Sequence, residues 1–487
     1  MTGVRGHYID GAWTDPVGRE VIAVDNPADG SMVGAVVAGD AGDVERAVTA
    51  ARRAFNPWAA RPMAERITFV EALAGGLERH RDRLAETLTA EMGAPIAFAR
   101  TAQVGVAIGD LLHLIAAAKA HIDRESVSNS LVVTEPVGVV AAITPWNFPL
   151  HQIMLKIGAA MLAGCTTVLK PSEMAPLNAA IVGEILDEIA LPAGVVSIVF
   201  GDGPRVGSSL VEHPDVDMVT FTGSRGVGEY IARAAAATIK KVALELGGKS
   251  AAVILDDAPV HDSVAGVLRS CFANTGQTCA ALTRVLVPES LRDEWERAAV
   301  TEAARWQPGD PSASGTAMGP LASSLQRARV LTHMAAAQED GARLLVGGPE
   351  PLNLPGAYVR PTIYSDVTPE MRIFHEEVFG PVLTITGYDV LEDAITLANN
   401  SIYGLSGGVW SADRRRALDV ALRLRTGTVG INGAGLDVGA PFGGYKQSGL
   451  GREAGSRGFE EFLEVKAVMG AAELLDDGRA EKTRSVR

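Results

Sequence analysis

A thiol and a carboxylate are the pair in this chain best suited to handle a carbonyl. Cys279 lies in Asn274-Thr-Gly-Gln-Thr-Cys-Ala-Ala-Leu-Thr-Arg284, and Glu245 lies in Leu244-Glu-Leu-Gly-Gly-Lys249. Both strings are rich in small residues, which turn the chain and leave space beside a reactive group. A free thiol has a pKa near ~8.5, so only a few per cent is thiolate at neutral pH unless its surroundings assist. A neighbouring carboxylate would not attack; it would accept the thiol proton or activate water. Covalent capture of a carbonyl followed by hydrolysis needs those two groups. The other two of the three cysteines read as inert small hydrophobes: Cys165 sits between Ala163-Gly164 and a strand, and Cys271 has no flanking turn to expose it.

Elements must position these groups, and composition bounds which. The chain has 487 residues, 47% hydrophobic and 21% charged, enough for two or three domains with large cores. A net charge of −14 with no basic block argues against nucleic acid or an anionic membrane as partner. The segment Met1-Thr-Gly-Val-Arg-Gly-His7 lacks the apolar core of a signal peptide, and no uninterrupted apolar run reaches the ~20 residues of a membrane span. An odd cysteine count without metal-ligand spacing fits a reduced, cytoplasmic compartment and a site without metal.

The first forty residues read as short strands joined at Asp10-Gly11 and Asp29-Gly30. Two helices follow. The second carries a stripe of Ile67, Val70, Leu73, Leu77, Leu84 and Leu88 and stops at Met92-Gly93-Ala-Pro95. From 137 onward, short apolar runs (137–143, 166–169, 195–200, 218–221, 242–246, 251–255) alternate with helical stretches at 152–163 and 176–189. That alternation signals βαβ units and a parallel sheet. Residues from about 258 to 380 repeat it, with helices at 391–399 and 414–424 completing a second α/β unit.

Two stretches could cradle an anion. Gly201-Asp-Gly-Pro-Arg-Val-Gly207 nearly spells a dinucleotide fingerprint, but three residues rather than two precede its last glycine and Pro204 follows the second. Phe221-Thr-Gly-Ser224 before a helix is the better candidate, because a helix start offers N–H groups to a phosphate. An ordinary N-cap serine, worth about 1 kcal/mol, explains it equally well. Lys170 and Glu173 follow a strand end, where open α/β sheets bind ligands; a solvated turn is the alternative.

Seven strings together carry more than any one of them. They are Thr144-Pro-Trp-Asn-Phe-Pro149, Leu169-Lys-Pro-Ser-Glu173, Phe221-Thr-Gly-Ser224, Leu244-Glu-Leu-Gly-Gly-Lys249, Gly276-Gln-Thr-Cys279, Glu376-Glu-Val-Phe-Gly-Pro-Val382 and Pro441-Phe-Gly-Gly-Tyr-Lys-Gln-Ser-Gly449. In type, order and spacing the chain resembles the aldehyde dehydrogenase superfamily nearly end to end, in its NAD-dependent, hydrolytic branch rather than the branch that acylates coenzyme A. The resemblance implies a Rossmann-like parallel-sheet cofactor domain (1–122 and 137–248), a second α/β catalytic domain (249–462) and a β oligomerisation arm (123–136 and 463–470), followed by a tail (471–487). In the family such an arm pairs with another subunit, implying a homodimer or homotetramer.

The resemblance also assigns roles. Cys279 would be the nucleophile, Glu245 the base for water, and Asn147 a donor to the oxyanion. Glu453 is open between a proton relay and a structural salt bridge. The cofactor would be NAD, held by Thr144, Trp146, Lys170, Ser172, Glu173, Gly203, Gly223, Ser224, Leu246, Gln326, Glu377 and Phe379. The carboxylate of Glu173 would repel the 2′-phosphate of NADP. For the small-molecule aldehyde, Phe148 and Phe442 would be aromatic walls, Gln152 and Leu155 would line the approach, and Ala273 stands where a bulky aromatic is common. No arginine pair is placed to select a carboxylate, and no aromatic cage a quaternary amine. A medium-sized apolar or aromatic aldehyde is the expected substrate. The alternatives are a narrow semialdehyde dehydrogenase, for instance for succinate semialdehyde, and a non-catalytic binding or structural protein on the same scaffold.

Overall fold

The structure, a computed structural model, describes residues 6–16 and 20–475. The expected tail lies outside the described residues from 476 onward, as do residues 1–5. Two sheets organise the rest. In the first, the parallel strands Val196–Ile198, Thr166–Lys170, Val139–Ile143, Met218–Thr222 and Lys241–Glu245 lie side by side in that order. The hairpin His7–Ile9/Ala12–Thr14 extends one edge antiparallel, and Gly449–Leu450 extends the other beside Lys241–Glu245. Asp10 and Gly11 both have positive φ (58° and 77°), the geometry of a tight two-residue hairpin turn.

The central strands are buried from end to end because helices cover both faces of the sheet. Strand order reverses at Val139–Ile143: the chain runs outward to Val196–Ile198 and then returns to Met218–Thr222 on the other side. Such a switch opens a crevice at the carboxyl ends of the strands, where doubly wound sheets bind ligands. Thr144, Lys170, Gly223 and Glu245 all stand at that edge. This is the expected Rossmann-like sheet.

The second sheet runs Arg343–Val346, Thr362–Ser365, Val382–Tyr388, Leu282–Pro288, Ser250–Ile254, Ser406–Trp410, Thr428–Ile431, parallel except for its first strand. Its strands begin next to the site: Cys279 shortly precedes Leu282–Pro288, Gly248 precedes Ser250–Ile254, and Glu377 precedes Val382–Tyr388. The carboxyl edge of one sheet thus meets the amino edge of the other. A third, small sheet pairs Ser130–Pro136 with Arg124–Val127 and with Leu463–Met469, all antiparallel.

One expected helix is two. Helices Met63–Arg79 and Arg81–Met92 are separated at His80 (φ −97°, ψ 10°), while the stripe Leu73, Leu77, Leu84, Leu88 remains fully buried. Seven residues separate Leu77 from Leu84, two helical turns, so the periodicity survives a change of axis and hides it. Gly93 ends the second helix in the left-handed conformation, φ 79°. Ile96–Ala120 is by length and composition apolar enough to cross a membrane, yet its Leu111, Leu114 and Ile115 pack into the main core, and the segment contains Arg100 and Asp110.

Candidate active site

The loop that presents Cys279 is held by backbone conformation and by amide clamps. Asn274, Thr275 and Gly276 have φ of 52°, 55° and 73°, three successive left-handed residues just after helix Val260–Phe272. Non-glycine residues seldom adopt this conformation, so the surroundings must hold it. Asn274 Nδ2 donates to the carbonyl of Asn147 (2.9 Å), Gln277 Nε2 donates to the carbonyl of Asn274 (3.1 Å), and the Gln277 amide oxygen accepts from Ala322 N–H (2.9 Å). Thr275 Oγ1 donates to the carbonyl of Gly319 (3.1 Å). Nothing in the Asn274 string itself marks Asn274 for this part.

Asn147 is buried and tied to the same loop. Its Nδ2 donates to the carbonyl of Gln277 (2.9 Å), two residues before Cys279, and its own carbonyl also accepts from Gln103 Nε2 (2.9 Å). Cys279 is part-buried and free. Burial pushes its thiol up to about 12, with the Glu245 and Glu377 carboxylates adding to the shift and the Ala280 N–H opposing it. Among the charges that raise the thiol, Glu245 contributes most.

Glu245 ends its strand with both carboxylate oxygens buried and without a hydrogen-bond partner. Burial, reinforced by Glu453, raises its pKa well above the ordinary carboxylate range, against the pull of Lys156 and Arg452. A buried, unpartnered carboxylate with a raised pKa marks a candidate functional group.

Glu453 bonds through its backbone to Phe442 in both directions (2.7 Å each), and one carboxylate oxygen forms an ion pair with Lys156. Its other oxygen has no partner. Lys156 Nζ also donates to Thr222 Oγ1 (2.8 Å), whose hydroxyl donates to Gln152 Oε1 (2.7 Å). Gln152 therefore faces this buried polar chain. A lysine amid the apolar run of helix Pro149–Ala163 is the visible signal for such a network, since buried cations need partners. Lys156→Met should leave Glu453 buried without its cation and destabilise the protein by about 3–5 kcal/mol, measured as a lower urea midpoint.

The groups expected at a dinucleotide cluster at the switch. Lys170 Nζ, buried, donates to Glu173 Oε2 (2.7 Å), and Glu173 is 40% exposed. Thr144 Oγ1 is buried without a partner, and Ser172 Oγ accepts from Met174 N–H (3.3 Å). Ser224 precedes helix Arg225–Ala235 but makes no capping bond with its side chain, so its hydroxyl is spared. A Cβ at Gly203 or Gly226 would meet open space. Gly223 N–H donates to the Glu245 carbonyl (3.0 Å), and Leu246 packs where a Cβ on Gly228 would stand.

From the second sheet, Glu377 accepts from Gly248 N–H (3.0 Å); burial raises its carboxyl to about 7, opposed by that bond and by Lys249. A Cβ on Gly247 would lie 1.9 Å from the same carboxylate, so a larger residue there would displace Glu377. Phe379 meets Trp146 edge-on at 5.5 Å, and its carbonyl accepts from Gln326 Nε2 (2.8 Å). An unpartnered hydroxyl, an open helix start and a carboxylate beside a glycine turn fit a dinucleotide. Phe148 is part-buried against Phe98 (6.0 Å between centroids), Phe442 is buried, and Ala273 is part-buried directly after helix Val260–Phe272.

Comparison with known proteins decides the family. A model described as the aldehyde dehydrogenase family matches residues 13–468. The chain belongs to the aldehyde dehydrogenase family. A 3-succinoylsemialdehyde-pyridine dehydrogenase from a Pseudomonas species is 47% identical over 474 residues, 96% of this chain and 99% of that one. Among solved structures, a mutant of aldehyde dehydrogenase C from Pseudomonas syringae, in complex with NAD+ and octanal, superposes with a TM-score of 0.95 at 41% identity, covering 96% of this chain and 97% of its own. The Mycobacterium tuberculosis aldehyde dehydrogenase complexed with NAD+ gives a TM-score of 0.94 at 43% identity, covering 96% and 98%. With the family comes the reaction: this enzyme is an oxidoreductase that oxidises an aldehyde with NAD as acceptor.

Proposed function

We propose that the enzyme oxidises a medium-sized apolar or aromatic aldehyde to its carboxylic acid through a covalent adduct on Cys279, hydrolysed by water that Glu245 activates. The observation that carries this reading is the Glu245 carboxylate, buried with both oxygens unpartnered at the carboxyl edge of the first sheet, where the amino edge of the second brings the free, part-buried Cys279. Glu245 accepts the thiol proton, and the sulfur bonds to the aldehyde carbon. The resulting oxyanion is met by Asn147 Nδ2 and the backbone N–H of Cys279, which has no acceptor among the described residues. One such side-chain amide is worth about 3–4 kcal/mol. Bound NAD supplies the hydride acceptor, with Lys170, Glu173, Ser224, Glu377 and Phe379 as the groups that would hold it. Glu245 passes the thiol proton to solvent and then takes a proton from the water that attacks the thioester; that proton goes to the departing sulfur as the acid is released, restoring the thiol. Glu453 is tied to Lys156 by an ion pair, and that pairing supports the salt-bridge role over the relay.

Two facts support the substrate class. A relative is named for 3-succinoylsemialdehyde-pyridine, and a structural neighbour holds octanal. We further propose the domain division set out above, a reduced cytoplasmic location in keeping with three free thiols, and a homodimer or homotetramer. The strand Leu463–Met469 supports assembly through its exposed Val465, Val468 and Met469. A panel of alkyl, aryl and carboxylated aldehydes, followed by NADH absorbance, tests the reading; carboxylated aldehydes with the highest kcat/KM would overturn it. Glu173→Gln should lower the NAD:NADP ratio of kcat/KM on the order of tenfold, because it removes the repelling charge and frees Lys170. An unchanged ratio would place cofactor discrimination elsewhere.

A further inference from the structure

Helix Pro149–Ala163 is buried at every position but one. His151 alone is part-exposed, its side chain 12% accessible. It lies four residues after Asn147, with its ring 6.2 Å from that of Phe148, which in turn is 6.0 Å from Phe98. The one window in this helix therefore opens beside an aromatic wall of the proposed aldehyde site. Nδ1 of His151 is 2.5 Å from Asp110 Oδ2, a fully buried carboxylate on helix Gly105–Ala120. With Nδ1 committed to Asp110, Nε2 is the ring nitrogen left over, and it has no protein partner among the described residues. Asp110 keeps its second oxygen unbonded, so it serves no other side chain or backbone group. An aspartate buried in a helix interface solely to hold one histidine is an orienting device.

We propose that His151, oriented by Asp110, selects aldehydes that carry an uncharged hydrogen-bond acceptor, a ketone oxygen or a heteroaromatic ring nitrogen, a few bonds from the reacting carbon. The inference rests on the assignment of the Cys279 side as the aldehyde site and deepens it. Burial tends to lower His151, but Asp110, by charge and by its hydrogen bond, outweighs burial and raises it, with Glu453 adding to the rise and Lys156 opposing it. Burial raises Asp110 as well, and His151 counters that; the short contact is that of a charge-assisted bond, so the proton belongs on the imidazole. Nε2 then presents a donor. The pair as a whole is neutral, so a carboxylate gains no net charge attraction from it, whereas a neutral acceptor needs only the donor. Phe148 and Phe98 supply the faces against which an aryl group would lie.

Two isosteric pairs of substrates separate the sources of the acceptor: 3-(pyridin-3-yl)propanal against 3-phenylpropanal for the ring nitrogen, and 4-oxo-4-phenylbutanal against 4-phenylbutanal for the ketone. In the wild-type enzyme kcat/KM should favour the acceptor-bearing member of at least one pair by tenfold or more. In His151→Phe that ratio should fall to within about twofold of unity, and His151→Gln, which keeps a donor, should retain part of it. Asp110→Asn should lower it by an intermediate amount. Wild-type ratios near one in both pairs, or a ratio that survives His151→Phe, would overturn the proposal. Absence of NADH with all four aldehydes would instead overturn the assigned reaction on which it rests.

Discussion

Cys279→Ala should form no detectable NADH from any aldehyde, a loss of about four orders of magnitude or more in kcat, while NAD still binds. Loss of a covalent nucleophile removes the pathway rather than weakening one contact. Alanine is smaller than cysteine and the loop around it is fixed by bonds from Asn274, Thr275 and Gln277, none of which uses the sulfur. The substitution therefore leaves the scaffold in place. Titration of the variant with NAD, followed by tryptophan fluorescence, should give a dissociation constant within a few-fold of wild type. Removing the thiol also removes its proton from the site, so Glu245 is left without its first partner. Measurable turnover in Cys279→Ala would move the nucleophile elsewhere.

Glu245→Gln should separate the two halves of the reaction. Glutamine preserves shape but has no basic oxygen. Capture and oxidation should still yield one equivalent of NADH in a slow burst, and steady turnover should fall by about 10²–10⁴-fold, the range of a lost general base. The pH profile should change with it. Because burial and Glu453 raise the Glu245 pKa, the wild-type base form is populated only above the ordinary carboxylate range. The hydrolytic rate should then climb with pH as the carboxyl loses its proton, and Glu245→Gln should lack that limb. Stopped-flow absorbance across pH reads both effects. Steady turnover equal to wild type would refute the role.

Much of the site could be read in the sequence because its groups sit where elements end. Glu245, Lys170 and Thr144 terminate or follow apolar runs that had to be strands, and Cys279 precedes another. The central strands were likewise found within one or two residues of their bounds. What escaped depends on partners distant in the chain. His80 breaks a helix without breaking its stripe, so the pattern concealed the bend. The Lys156–Glu453 pair joins a helix to a segment far downstream, and a lone lysine names no partner. Asn274 and Gln103 brace Asn147 across similar separations. His151 was passed over for its neighbour Gln152 because only the packing of two helices reveals which of adjacent side chains is enclosed.

The way the two sheets abut has a practical bearing for redesign. Residues that would grip the adenosine end, Lys170, Ser172 and Glu173, belong to one sheet's rim, whereas the nucleophile's loop springs from the other. Altering the preferred coenzyme at Lys170 and Glu173 and widening the accepted range of aldehydes at Ala273 are therefore separable engineering problems. Libraries built on those two sets can be screened apart and their winners merged, with gains that multiply, since additivity holds for positions that share no contacts.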